Sequence, residues 1–245
     1  MTDTSSSPIA SFHLIRYDTA GAMKHMAFDR PLLRHTGGLL FWRLLGTGRG
    51  RAMSLGADLH RWALFAVWRR EDDLDAFLRA SPIAARWRAE ASESWQVRLD
   101  RVASRGAWSG RDPFAAMPAG RGGGERPATA CPEGGGGPVA VLTRASIRPG
   151  RLVAFYRSVP AVDELLRRQD GCLASIGMGE WPLARQATFS LWRDRQAVRA
   201  FAYQGQAHQR VIERVRAHEW YAEELFARFT PYASEGTWDG ADPLR

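Results

Sequence analysis

The sequence predicts an α+β fold of two tandem β-α-β-β-α-β units, and three observations predict it. Phe65-Ala-Val-Trp68 recurs as Phe189-Ser-Leu-Trp192. Each is followed at the same interval by a helical segment carrying Phe77 or Phe201. Each copy then closes on a Trp-x-Gly-x-Asp-Pro tail, Trp108-Ser-Gly-Arg-Asp112-Pro113 and Trp238-Asp-Gly-Ala-Asp242-Pro243. Matches at strand, helix and tail fall where a repeated unit has to bury the same surface, so the places where the copies differ are where function is to be sought.

Within the first copy, residues 11–17 read as a short strand, followed by a helical stretch to about His35 that Pro31 must kink or interrupt. Two apolar segments, 39–45 and 59–68, are strand-like. Asp72 or Asp73 is placed to cap the next helix, which Ser81-Pro82 interrupts and restarts, and residues 95–102 alternate as a final strand does. The second copy repeats the order: strand 138–147, helix 151–168, strand 171–176, strand 184–192, a helical stretch 194–219 broken near Gly205, and a strand around 225–232. Gly46-Thr-Gly48 after the second strand reads as a turn and has an echo in Gly177-Met-Gly179. Tandem ferredoxin-like repeats follow, each a four-stranded antiparallel sheet with two helices on one face, the bare faces packing together. The expected divisions are a disordered tail at 1–10, a first module at 11–114, a Gly/Pro/Ala-rich flexible linker at 115–137 and a second module at 138–245.

Composition narrows the function classes. Of ten Trp, six pair between copies as Trp68 with Trp192, Trp95 with Trp220, and Trp108 with Trp238, which makes them packing residues. A net charge of +8 invites a nucleic-acid reading, yet Lys24 is the single lysine and the arginines are spread along the chain beside acidic residues. An RNA-recognition module would need aromatics inside a characteristic glycine-rich strand signature, and Phe65-Ala-Val-Trp68 lacks those flanks. Cys131 and Cys172 form no Cys-x-x-Cys pair, and the N-terminus has no basic start and apolar run, so a cytoplasmic protein, soluble or peripheral at a membrane, is expected.

The chemistry-bearing candidates are few. There is no His-Glu-x-x-His, no dinucleotide glycine fingerprint, no phosphate loop and no Gly-x-Ser-x-Gly. His208 stands out: on a helix it shares a face with Val211, Ile212 and Val215, so its imidazole points into apolar space. The offset that relates the paired Trp puts Ala84 at the same place in the first copy. The residues alone leave two readings open, a core histidine bonded to a carbonyl or a metal ligand. His60 reads as a sheet-end hydrogen-bonding group, His218 as a surface group near a helix end, Cys172 as a buried inert thiol, and Arg144 as the structural counterpart of Arg16.

Several stretches in order resemble the bacterial spheroidene monooxygenase family of carotenoid biosynthesis: Phe41-Trp-Arg-Leu-Leu-Gly-Thr-Gly48, His60-Arg-Trp-Ala-Leu-Phe-Ala-Val-Trp68, Ser81-Pro-Ile-Ala-Ala-Arg-Trp87, Gly177-Met-Gly-Glu180 and Glu219-Trp-Tyr-Ala-Glu-Glu-Leu-Phe-Ala-Arg-Phe229. The resemblance implies a dimeric α/β-barrel type of fold and oxidation of C-2 of an acyclic carotenoid such as spheroidene to a ketone. Dioxygen, a haem and electrons from ferredoxin are implied with it. Two hydroxylations at one carbon give a hydrate that loses water to form the ketone. Haem ligation in related barrels comes from a His on the second helix of a module, which implies iron ligation by His208; the distal residues are not implied by any motif. The unpaired Trp42, Trp62, Trp87 and Trp181 are candidates for lining a polyene groove, with core packing as the alternative. A cofactor-free oxygenase or a small-molecule binder of the same barrel class remains the competing expectation.

Overall fold

The structure is a computed structural model that describes residues 7–20, 23–48, 56–117, 136–181, 184–204 and 220–245. The first half runs β1 (Ile9–Arg16), α1 (Met23–Arg34), β2 (Leu39–Gly48), β3 (Ala57–Trp68), α2 (Glu71–Ala80), α3 (Pro82–Glu90) and β4 (Glu93–Gly106). The second runs β5 (Val139–Ile147), α4 (Leu152–Arg167), β6 (Cys172–Trp181), β7 (Arg185–Trp192), α5 (Arg195–Gln204) and β8 (Tyr221–Gly236). Two sequence expectations shift locally. Helix α1 continues through Pro31 to Arg34, and α2 begins at Glu71 after Arg70 with no side-chain cap, so Asp72 and Asp73 lie in its first turn. Ser81 caps α3, its hydroxyl accepting from the Ala84 N–H at 3.0 Å.

The two sheets do not merely stack face to face. All eight strands join antiparallel into one closed barrel in the order β1-β3-β2-β6-β7-β5-β8-β4. Closure satisfies the edge N–H and C=O groups that two open sheets would leave bare. One seam is made by β2 and β6, where Gly46 pairs with Gly179 and Thr47 with Met178. The glycine segment expected as a turn is therefore strand and joins the halves. The other seam is the long pairing of β4 with β8.

Alternation along each strand sends one set of side chains inward and the other outward. The inward set, including Phe12, Phe65, Val97, Leu142, Phe189 and Phe229, packs into a single interior cluster fed by both halves. The outward sets pack under helices: in the first half Trp62, Leu64, Trp68, Phe77 and Trp87, in the second Val139, Val141, Cys172, Trp192 and Ala197. Trp62 and Trp87 are thus helix-to-sheet packing, and Trp42 packs against the same cluster.

The tails plug the barrel reciprocally. Ser109 and Gly110 of the first tail, and Asp239 and Gly240 of the second, take positive φ in equivalent tight turns. Glu223 of the second half accepts from the Ser109 and Gly110 amides, while Glu93 of the first half accepts from Gly240. Gly106 and Gly236 occupy equivalent positions at φ 89° and 88°, and a Cβ there would lie 2.1 and 2.0 Å from a facing backbone oxygen. These landmarks revise the pairing of tryptophans: Glu93 corresponds to Glu223, and Trp95 to Leu225. Trp95 lies inside the barrel, its indole N–H donating to Asp242 at 3.0 Å, whereas Trp220 packs outside with Ile147 and Phe155. The chain stays packed beyond the first tail, with Phe114 and Met117 both buried.

Candidate functional site

The barrel interior is filled, Phe12 stacking on Phe189 at its centre, so ligand chemistry has to be sought elsewhere. Hydrogen-bond register gives the equivalent outward rows of the two halves directly. In the first half Leu44, Leu64 and His13 lie side by side across β2, β3 and β1; in the second the same row is Gly177, Thr188 and Thr143 across β6, β7 and β5. The neighbouring rows are Trp42, Ala66, Ser11 and Arg98 against Ser175, Ser190, Val141 and Arg228. The third sets Trp62 and Ile15 against Gln186 and Ala145. Four large apolar groups of the first half, Trp42, Leu44, Leu64 and Trp62, are replaced by Ser175, Gly177, Thr188 and Gln186 in the second, while Ser11 gives way to the larger Val141. The result is a sheet face, or floor, of small and polar groups beside Val139, Val141 and Phe226, with Ser175, Gln186 and Ser190 buried.

The apolar end of this floor is fixed by α5. Trp192 and Phe201 meet at 5.1 Å and 42°, matching Trp68 and Phe77 at 5.1 Å and 44° in the first half. The Trp192 indole donates to the Ser190 hydroxyl at 2.9 Å, orienting it on the floor. Cys172 is buried, its thiol facing the Ala174 carbonyl at 3.8 Å.

His208 and His218 lie outside the described residues, as does Cys131, and the Trp181 side chain is not described. Ala84, the first-copy position matched to His208, is buried on α3 in the helix-to-sheet layer, not in the barrel interior. His60 sits at the start of the buried part of β3, half-exposed, its Nδ1 3.7 Å from Asp58. Among the described residues no group of three or more His, Cys, Asp and Glu could hold a metal ion.

Sequence reasoning missed a buried charge cluster at one barrel mouth. Arg144 corresponds by register to Leu14, not to Arg16: Arg144 lies opposite Leu225 and Ala187, as Leu14 lies opposite Trp95 and Ala63. It is ion-paired to Glu223 and lies 3.9 Å from Glu180. Glu180 also accepts from Arg43 at 2.6 Å and from the Trp108 indole at 2.9 Å. Burial pushes the Glu223 carboxyl up, but the Gly110 and Ser109 amides and Arg144 outweigh it and hold its pKa below the ordinary range. Arg43 is moved the other way, burial lowering its pKa against the pull of Glu180. The cluster fastens the first tail to the second half. Nothing local in the sequence marks it, because its members come from four strands and a turn.

A second missed feature lies on the floor itself. The Nε of Arg228 is buried without a hydrogen-bond partner. Burial, with Arg195 and Arg199 of α5 nearby, lowers its pKa. Aligning α2 with α5 on their Trp and Phe anchors would have exposed it.

No protein-family model matches the chain. It is 34% identical over 241 residues to the spheroidene monooxygenase of Rhodobacter capsulatus, which spans 97% of this chain and 95% of that protein. To the spheroidene monooxygenase of Rubrivivax gelatinosus it is 36% identical over 203 residues, 83% of this chain and 73% of that protein. Among solved structures it is similar in fold to an aldoxime dehydratase in complex with butyraldoxime, with a TM-score of 0.63 at 12% identity, over 98% of this chain and 85% of that one.

Proposed function

The chain belongs to the spheroidene monooxygenase family, and from that premise we propose that it is a haem-dependent monooxygenase that introduces a C-2 keto group into an acyclic carotenoid such as spheroidene. Dioxygen is the oxidant and reduced ferredoxin the electron donor. The observation that carries the placing of this chemistry is the floor of Ser175, Gly177, Thr188 and Thr143, where the other half has Trp42, Leu44, Leu64 and His13. The same strand order in both halves supports reading them as tandem ferredoxin-like repeats, with the ligand site in the half whose outward rows carry the smaller side chains.

The residues present suit a haem. A planar macrocycle needs a face without projecting bulk, which the glycine and hydroxyl row provides, and its carboxylates need cations, which Arg228 offers with an unpartnered buried Nε. His208 is the proposed iron ligand, on the strength of the family resemblance. Bound there, haem supplies dioxygen activation. The chain's own part is to hold and to exclude: Trp192 and Phe201 brace the helix-to-sheet layer, Val139, Val141 and Phe226 give a polyene an apolar wall, and the packed barrel denies both ligands any path through its centre. An acyclic carotenoid is stored in membrane, so a cytoplasmic protein that acts on it works peripherally at the inner-membrane surface; among the described residues no helix is long and apolar enough to cross a membrane.

The test is turnover by the purified protein with spheroidene, dioxygen and reduced ferredoxin, followed by chromatography of the pigments. Spheroidenone formation that requires all three is expected. Recovery of unchanged spheroidene by a folded, pigment-binding protein would overturn the assignment.

A further inference from the structure

In the first half, Arg98 on the outer face of β4 is neutralised by α2: its guanidinium donates to Glu71 at 2.6 Å and to Asp75 at 2.6 Å. Two independent sets of landmarks carry this arrangement onto the second half. Gly106 with Gly236, and the two tail turns, match Arg98 to Arg228 on β8. The Trp-Phe pairs at 5.1 Å match Glu71 to Arg195 and Asp75 to Arg199 on α5. Both carboxylates are thus replaced by arginines around an arginine that is retained.

The consequence is electrostatic. Arg98 is lowered by burial but raised above its ordinary value by its two carboxylates, whereas Arg228 is lowered by burial and by Arg195 and Arg199. Among the described residues no carboxylate pairs with these three cations, which repel one another and tend to spread apart unless an anion is shared between them. Arg228 nonetheless lies on the outer sheet face, partly buried, its Nε buried and without a hydrogen-bond partner, while Arg195 and Arg199 are exposed on α5.

We infer that Arg228, Arg195 and Arg199 form a receptor for the anionic group of a bound ligand, a carboxylate or phosphate, at the edge of the stripped floor of the second half. Two sources share that chemistry, a carboxylate of the proposed haem and a free anion. The haem source rests on the proposed function; the receptor itself does not.

The test transplants the first-half pattern by making R195E/R199D, with R69E/R79D on exposed first-half positions as a control of equal charge change. Thermal unfolding and calorimetry with inorganic phosphate are read first. Wild type and control are expected to bind phosphate and be stabilised by it; R195E/R199D should have lost affinity by about tenfold or more. The same variant should unfold at a higher temperature than wild type in phosphate-free buffer, because Arg228 gains internal partners. Equal phosphate response in all three proteins overturns the receptor.

Haem and haem dimethyl ester then separate the sources. If R195E/R199D weakens haem binding and the ester binds wild type equally weakly, the anion is a haem carboxylate. If haem binding is unchanged while phosphate binding is lost, the receptor serves a free anion. A wild type that binds phosphate at this site but no haem retains the receptor and removes the haem assignment.

Discussion

Phe12 of the first half stacks on Phe189 of the second, ring centroids 4.0 Å apart and planes within 15°. The contact sits at the centre of a core to which both halves contribute, so neither half has a complete core alone. Truncating either ring to alanine is expected to cost about 3–5 kcal/mol, the range for buried aromatics. The double variant should lose less than the sum by roughly 0.5–1.5 kcal/mol, the share belonging to the aromatic pair. Urea unfolding monitored by Trp fluorescence and by circular dichroism should give one coincident transition. Two separated transitions would show that the halves fold independently.

His13 provides a pH-dependent term. It is fully buried, and desolvation, with Arg98 adding to it, lowers its pKa to about 3. The Ser11 hydroxyl accepts from the Trp68 indole at 2.8 Å and meets His13 Nε2 at 2.9 Å, which suits a neutral ring that accepts the hydroxyl proton. Because the folded-state pKa lies below the unfolded value near 6.5, the unfolded chain binds the extra proton between those limits. The associated stability is present above about pH 6.5 and lost as pH falls towards 3, at up to about 1.4 kcal/mol per pH unit. Unfolding free energies measured across this range should fall less steeply for His13→Gln than for wild type. Parallel curves would contradict a buried neutral imidazole.

Glu180 holds the buried Arg144, the partly buried Arg43 and the Trp108 indole together. Glu180→Ala is expected to destabilise by on the order of 2–3 kcal/mol, less than for a fully buried pair because Arg43 keeps some solvent contact. Trp108→Phe retains most of the packing and removes one hydrogen bond, so its electrostatic part should be about 1 kcal/mol. Chemical denaturation of both variants checks the order. Equal losses would mean that packing, not charge pairing, fastens the tail.

Much of the fold was legible because its signals are local. Strand alternation, the Trp-Phe anchors and the twin tails mark the strands and most of the helices among the described residues. Barrel closure was not, since the pairing of Gly46 with Gly179 joins residues far apart in the chain. The repeat itself misled at Trp95 and Trp220: the interval between copies lengthens after α5, so an offset taken from Trp68 and Trp192 fails by the time β8 begins. The same slip hid the correspondence of Arg98 with Arg228. Arg144 was misassigned for another reason, because two arginines near the ends of equivalent strands look alike until register separates them by one inward position. Of the site, the sequence showed an asymmetry between copies at His208 but not the floor, whose small residues signify only beside the large ones they replace.

The floor can be refilled. Gly177 is not among the positive-φ glycines, so a side chain is sterically allowed there by the backbone. Gly177→Leu and Thr188→Leu restore the first-half residues of that row. Because Gly177 is buried, the double variant is expected to lose about 1–3 kcal/mol of stability but to stay folded, while losing carotenoid turnover more than tenfold. Full activity with the row filled would place the reaction elsewhere on the molecule.

The most direct measurement is the absorption spectrum of the purified protein, with and without dithionite and carbon monoxide, for wild type and His208→Ala. A Soret band that responds to reduction and carbon monoxide in wild type, and is lost or shifted in the variant, is the expected result. A colourless wild-type protein that still converts spheroidene to its ketone would contradict the haem assignment at its root.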